Sequence, residues 1–242
     1  MGKNNEEINS KPGDEGDRFL EIWNLVFTEW NRLEDGTLVP LPEKNIDTGA
    51  GIERIASVIQ EKKTNFETDL FMPIIQGIEK VLDIKKKDFD ETVKIIADHI
   101  RASVFLICDG VLPSNEGRGY ILRKIIRRAF GAGSAAKGKV FEKEDIFLHK
   151  LVSYVVETMK EGYPELVEKS EYIEKVIKIE EEKFSNTLKN GTELLESEII
   201  KLKGENKKEL SSDISFKLYN TFGFPFELTS REIGRASCRE RV

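Results

Sequence analysis

Cysteine, histidine, methionine and tryptophan are all scarce in this 242-residue sequence, at two, two, three and two residues. Cys108 and Cys238 lie far apart in unlike surroundings, which argues for two reduced thiols rather than a disulfide. With His99 and His149 they form no cluster at zinc-ligand spacing. No apolar run approaches the ~20 residues of a membrane span. The polar, acidic stretch from Met1 to Asp17 does not read as a secretory signal and is expected to be disordered. No internal repeat is visible. Length and composition agree with a water-soluble, intracellular protein of more than one part. Its 39% hydrophobic content over 242 residues suffices for one large domain or two modest ones.

The densest chemistry lies in Asp47-Thr48-Gly49-Ala50-Gly51-Ile52-Glu53-Arg54. Upstream, Phe19 to Phe27 is aromatic and β-branched and reads as a strand. Downstream, Ile52, Ile55, Ala56 and Ile59 recur at the spacing of one helix face. The eight residues therefore sit where an extended segment turns into a helix. Glycines there let backbone approach a ligand, a helix N-terminus favours an anion, and Arg54 adds a planar fork of donors suited to phosphate. This is not a Rossmann fingerprint, because no third glycine is in register. It is not a P-loop either, because no Gly-Lys-Ser/Thr follows.

A second concentration is electrostatic. Arg118, Arg123, Lys124, Arg127, Arg128, Lys137 and Lys139 occur in one segment without a single Asp or Glu. The net charge of −6 therefore hides a cationic segment within a strongly acidic remainder. Tyr120, Ile121, Ile125 and Ile126 fall between these charges at helical spacing, which predicts one buried and one basic face. An uncompensated basic face fits a phosphate backbone. The polar loop Ser114-Asn115-Glu116-Gly117 opens that helix, so Asn115 could reach a base edge while the cations hold the register.

Periodicity predicts helices over 69–82, 88–107, 119–130 and 145–160, with a small-residue loop at 131–138. Asp88 is a candidate cap. A long charged helix follows, with Ile173, Val176, Ile177, Phe184, Leu188, Leu195, Ile199 and Leu202 near one stripe. A break is expected near Asn190-Gly191, and its charges read as a solvated face. Residues 204–208 end it, and a short element starts near Ile214.

Three ordered blocks carry a resemblance. The first is Glu21-Ile-Trp-Asn-Leu-Val-Phe27, Asn31-Arg32, Asp35-Gly36, Pro40-Leu-Pro42 and the string from Asp47 to Arg54. The second is Ala97-Asp-His-Ile-Arg-Ala102, Asp109-Gly-Val and the run from Pro113 to Arg128. The third is Leu218-Tyr-Asn-Thr-Phe-Gly-Phe-Pro225. Together, over residues 16–229, they resemble the alanyl-tRNA synthetase family of class II, from motif 3 at the end of the aminoacylation domain onward. The resemblance implies an α+β chain: the remnant of a class II antiparallel sheet with its motif 3 helix, then a mainly α-helical domain. It divides the chain into a leader (1–17), the end of the catalytic domain (18–64), a helical tRNA-binding domain (65–229) and a tail (230–242).

The resemblance also implies a reaction. ATP, with Mg²⁺, activates alanine to alanyl-adenylate, and the acyl group then passes to tRNA(Ala). Asn24, Asp47 and Gly49 would hold alanine, Asp47 by pairing with its ammonium. Ile22, Trp23, Asn24, Gly51 and Arg54 would meet ATP, although strand alternation keeps Ile22 and Trp23 from both pointing inward. Arg54 would be the catalytic cation, offsetting charge as pyrophosphate leaves. Family members read a G·U pair in the acceptor stem from the open minor groove of A-form RNA. Asn115 and Asn220 are the candidates here, Asn220 standing where the family more often has Asp. Arg118, Arg123, Lys124, Arg127 and Arg128 would contact the backbone. Glu53, His99 and Arg101 read as structural.

Class II motifs 1 and 2 would precede Phe19, and no segment there supplies them. The family's later His/Cys zinc site is likewise outside this sequence. The isolated chain is therefore expected to make no alanyl-adenylate. The last twelve residues, with four of the twelve arginines and no apolar period, read as foreign to the pattern. The alternative of a different class is a non-catalytic tRNA-binding module using the helical domain alone.

Overall fold

The computed structural model describes Lys11, residues 19–84, 91–137, 143–205, 209–220 and Ser230. The expected leader apart from Lys11 and the expected tail beyond Ser230, with Cys238, lie outside them, as do Asp88 and Lys139. The chain divides into two compact units, Met1–Met72 and Pro73–Val242.

The first unit is a β-hairpin leading into a short helix. Strand β1 (Trp23–Arg32) pairs antiparallel with β2 (Leu38–Ala50). The turn between them falls at Asp35-Gly36. Gly36 has φ +87°, a conformation that favours glycine. The Thr37 N–H donates to Asp35 Oδ1 at 2.9 Å, holding the Asp35 carboxyl below its ordinary value. Strand pairing begins at Trp23 rather than Phe19 and runs on through Trp30, because β2 offers partners as far as Leu38. β2 also passes straight through Pro40 and Pro42. A ribbon of two strands has a free edge on each side, where a missing N–H costs no ladder bond. The ladder shifts register between Thr28 and Trp30, opposite this proline stretch. Beyond β2 comes helix α1 (Ile52–Ile59), with Gly51 at its N-cap.

The second unit is helical. Helix α2 (Met72–Leu82) begins where the chain passes from one unit to the other, and α3 (Glu91–Cys108) and α4 (Gly117–Lys137) follow. Short 3₁₀ turns at Lys143–Asp145 and Leu148–Leu151 lead into α5 (Val152–Met159), α6 (Glu165–Glu168), α7 (Ser170–Gly204) and α8 (Ser212–Asn220). The fold is thus α+β, a small antiparallel sheet followed by a helical body, as expected. Ile96, Ile100, Val104 and Ile107 of α3, Leu122, Ile126, Ala129 and Phe130 of α4, and Ile173, Ile177, Phe184 and Leu188 of α7 are buried. Their three- and four-residue spacing supplies the apolar stripes that the helices share. At Gly77 a Cβ would stand 2.6 Å from the Tyr154 ring, so α2 and α5 approach too closely there for any side chain.

Four expectations are corrected. Residues 131–137 are not a loop but the last turns of α4, and buried Ser134 shows that small side chains here serve close packing. The expected helix over 145–160 is two 3₁₀ turns followed by the shorter α5. α7 does not break at Asn190-Gly191 and runs 35 residues, with Gly191 on its buried side. Its charges are not all solvated, since Glu180 and Glu181 are 2% and 0% exposed.

Glu181 explains why a carboxylate can be buried. Its Oε1 accepts the N–H groups of Phe147 and Leu148 at 2.8 and 2.7 Å. Its Oε2 accepts the His149 N–H at 3.0 Å and lies 2.9 Å from His149 Nδ1. One carboxylate thus satisfies the backbone donors where the 3₁₀ turn Leu148–Leu151 begins, which local sequence cannot cap. Around it Phe130 stacks on Phe147 at 6.0 Å and meets Phe184 edge-on at 5.9 Å. Glu181→Ala leaves those donors buried and unpaired. It is expected to cost about 3–5 kcal/mol, a large share of the 5–15 kcal/mol typical of a domain, read as a lowered urea midpoint.

Candidate functional site

In the first unit, the ladder fixes which side chains share a face. Asn24 lies directly opposite Gly49, and Val26 opposite Asp47. Directly opposed residues project to the same side, as do residues two apart on one strand. Asn24, Asp47 and Gly49 therefore share one face, with Asn24 and Asp47 as diagonal neighbours. Trp23, Leu25 and Phe27 stand on the other face with Ile46. The Gly51 N–H donates to the Ile22 carbonyl at 3.2 Å, extending the ladder by one pair and bringing Ile22 to the Asn24 side. Trp23 is thus on the face opposite the other expected site residues.

The turn into α1 is narrow. A Cβ on Gly51 would stand 3.3 Å from Cγ and Cδ of Arg54, so the arginine stem lies over the glycine. Arg54 Nη1 donates to the Glu21 carbonyl at 2.8 Å, and Asn24 Nδ2 donates to Glu21 Oε1 at 3.4 Å. No side chain caps α1, and the Asp47 side chain has no hydrogen bond or ion pair among the described residues, although its backbone pairs with Val26. An exposed carboxylate, an amide and a tethered guanidinium thus flank one Gly-rich bend. Ammonium recognition suits Asp47, and an anion suits Arg54 and the start of α1. Nothing in the local sequence marks Glu21 as part of this site. Its role shows only when the hairpin sets it beside Arg54.

The second unit carries the basic helix. The buried face of α4 is Leu122, Ile126, Ala129 and Phe130. Tyr120 and Ile121, expected on that face, are exposed at 46% and 54%. They lie on the outward side with Lys124 and Arg128 at intervals of about one turn. Arg118, Lys124 and Arg128 are exposed; Arg123 and Arg127 are half-buried and engaged elsewhere. Arg127 Nε donates to Glu180 Oε1 at 2.9 Å, with its guanidinium carbon 5.0 Å from the Phe184 ring centroid. Arg123 Nε forms an ion pair with the same oxygen at 3.3 Å. The acid that compensates this segment comes from α7, a partner no local window contains.

Asn115 is exposed at the mouth of α4, and its Oδ1 accepts a hydrogen bond from Arg123 Nη1. Arg123 Nη2 also reaches the Pro113 carbonyl at 3.4 Å. The loop is wound tightly onto the helix start. The Ser114 N–H donates to the Gly119 carbonyl at 3.1 Å, and a Cβ on Gly119 would stand 2.3 Å from the Leu112 carbonyl oxygen. Asn220 ends α8, and its side chain lies outside the described residues. His99 and Arg101 belong to α3. His99 Nδ1 lies 3.0 Å from Asp98 Oδ2.

Asp98 is held below the ordinary carboxylate value, first by its hydrogen bond with His99 and further by the positive charges of Arg101 and Arg128. A depressed folded-state value means this contribution is fully present above the unfolded carboxylate range and is lost as pH falls through the folded value. Asp98→Asn is therefore expected to flatten the acid limb of the stability-versus-pH curve while leaving its neutral shape unchanged, as followed by thermal midpoint.

Among the described residues no three His, Cys, Asp or Glu side chains converge as metal ligands, and no helix is long and apolar enough to cross a membrane. Residues 2–236 match the family described as tRNA synthetases class II (A). The chain is 55% identical over 226 residues to a protein of Fusobacterium nucleatum named alanine–tRNA ligase, covering 91% of this chain and 26% of that one. Proteins of the same name from Ligilactobacillus salivarius and Shouchella clausii are 52% and 49% identical, covering 91% and 92% of this chain and 25% of each relative. The chain thus spans about a quarter of the length of these relatives. A Gly-rich bend between strand and helix, a helical body with a cationic outer face, and a family match over nearly its whole length make this chain a member of the class II aminoacyl-tRNA synthetase family, in its alanine–tRNA ligase branch.

Proposed function

We propose that this chain serves an alanine–tRNA ligase, an enzyme that uses ATP to convert alanine to alanyl-adenylate and then loads tRNA(Ala), in the cytoplasm. The observation that carries the reading is the shared face of Asn24, Asp47 and Gly49 beside the Gly51–Arg54 bend. Asp47 would take the ammonium of alanine, and Asn24, its amide already directed by Glu21, would orient the substrate. The lack of a side chain at Gly49 would leave room for the amino acid. Gly51 would let the nucleotide come close to backbone, with Ile22 beside it. Trp23, on the other face, would reach the nucleotide only around the strand end. Arg54 would stabilise charge that develops as pyrophosphate departs. Mg²⁺ would arrive with ATP, whose phosphate oxygens suit it; of the exposed carboxylates beside the bend, Glu21 already accepts from Asn24 and Asp47 would be taken by the ammonium.

The cationic outer face of α4 would hold the acceptor stem. Arg118, Lys124 and Arg128 are free to track phosphates, while Arg123 and Arg127 would shape the surface from behind. Asn115 would face the minor groove, with Asn220 the second candidate for reading the G·U pair. On this reading Lys124→Ala and Arg128→Ala each weaken binding of an acceptor-stem RNA regardless of its sequence. Each also lowers the slope of log affinity against log salt by about 0.7–0.9. A fluorescence-anisotropy titration at several salt concentrations checks this, and unchanged slopes would refute the interface.

Around the bend, Arg54 is the one guanidinium among the described residues, and the ribbon exposes both of its faces. The 242 residues on their own are therefore expected to give no ATP–pyrophosphate exchange above background. Measurable exchange in the isolated chain would refute this. A second reading, a tRNA-binding module without catalysis, is favoured by the separate core of the helical unit. It differs in expecting RNA affinity with no alanine- or ATP-dependent signal, such as a thermal shift lost in Asp47→Asn.

A further inference from the structure

We propose that Glu180 is the positioning residue for the Asn115 loop, acting through Arg123. The inference rests on the reading of Asn115 as an RNA contact and goes beyond it, since it names what sets that contact's geometry. Glu180 lies on α7 with its side chain only 3% exposed. It draws Arg123 and Arg127 from the same turn-spaced row of α4 onto one oxygen, at 3.3 and 2.9 Å. Arg127 is further fixed over Phe184. Arg123 uses its remaining nitrogens outward, Nη1 to Asn115 Oδ1 and Nη2 to the Pro113 carbonyl at 3.4 Å. Arg123 Nε meets Glu180 as an ion pair and not as a hydrogen bond, and because a guanidinium is planar this buried contact still restricts the direction of its outer donors.

Asn115 itself is exposed and, among the described residues, this arginine is the partner of its side-chain oxygen. Its amide orientation is thus set by a buried carboxylate on a different helix. Backbone ties at Ser114 and Gly119 place the loop, but they do not fix the side-chain rotamer. Glu180→Gln alters one atom and removes the charge. The two arginines, four residues apart on α4, would then repel without a shared counterion. Arg123 would turn toward water and release Asn115.

The test compares two acceptor-stem hairpin RNAs that differ only in carrying a G·U or a G·C pair. Affinities are measured for the full chain and for Asn115→Ala, Glu180→Gln, Arg123→Lys and the Asn115→Ala/Glu180→Gln double variant. Positioning predicts that Glu180→Gln and Arg123→Lys each reduce the G·U preference about tenfold, with the salt slope kept. In the Asn115→Ala background Glu180→Gln should add no further loss of preference. The Asn115 side-chain amide resonances of the RNA-free protein should also shift in Glu180→Gln.

If Asn115→Ala abolishes the preference while Glu180→Gln only lowers the thermal midpoint, Glu180 is structural and the proposal fails with the RNA reading intact. Unmoved Asn115 amide resonances in Glu180→Gln overturn it in the same way. If the parent chain shows no preference, or Asn115→Ala leaves it intact, the RNA reading falls and takes the proposal with it.

Discussion

Two adjacent carboxylates in the first half of α7 govern the helical unit. Buried charge is expensive unless it finds donors or counter-charges, and Glu180 and Glu181 find theirs in opposite directions. Glu181 collects the backbone N–H groups of Phe147, Leu148 and His149, together with the imidazole. Glu180 collects two guanidinium groups from α4. The aromatic cluster of Phe130, Phe147 and Phe184 fills the space between. Apolar burial supplies most of the driving force, but it is non-directional. The carboxylates decide how α4, α7 and the 3₁₀ turn are registered against each other.

The same arrangement divides the labour along α4. Charges turned toward α7 become part of the framework, and those turned away stay available. Arg118, Lys124 and Arg128 keep their hydration and their reach for phosphate, whereas Arg123 and Arg127 have exchanged water for Glu180. A polyanion would therefore meet a surface whose cations are spaced by a rigid backing. In the β-hairpin unit, Glu21 plays a comparable part, tying Arg54 and Asn24 to one residue at the strand start.

Much of this was legible in the amino-acid order. Helical periodicity located α2, α3, α4 and α7, because each buries a single continuous stripe. The Gly-rich bend announced the passage from β2 to α1, and strand alternation already implied that Ile22 and Trp23 would part company. What escaped were properties that depend on distant sequence. Gly131 to Gly138 reads as a loop because its glycines have poor intrinsic helix preference, yet packing keeps the described part, through Lys137, helical. Gly191 looked like a break, yet it is buried within a continuous helix. The outward direction of Tyr120 and Ile121 follows from which side of α4 meets its neighbours, not from their hydrophobicity. The fate of Arg123 and Arg127 was hidden because their counterion lies more than fifty residues away.

The adjacency of Glu180 and Glu181 has an evolutionary corollary. Consecutive helical residues diverge by about 100° around the axis, so the pair can serve two targets only while the helix phase upstream is preserved. A single codon gained or lost between Ile173 and Glu180 would rotate both carboxylates off their partners at once, leaving two arginines and a row of amides stranded together. Drift in this helix should therefore proceed by substitution on its outer surface, with changes of length confined to its far end, beyond the last buried leucine.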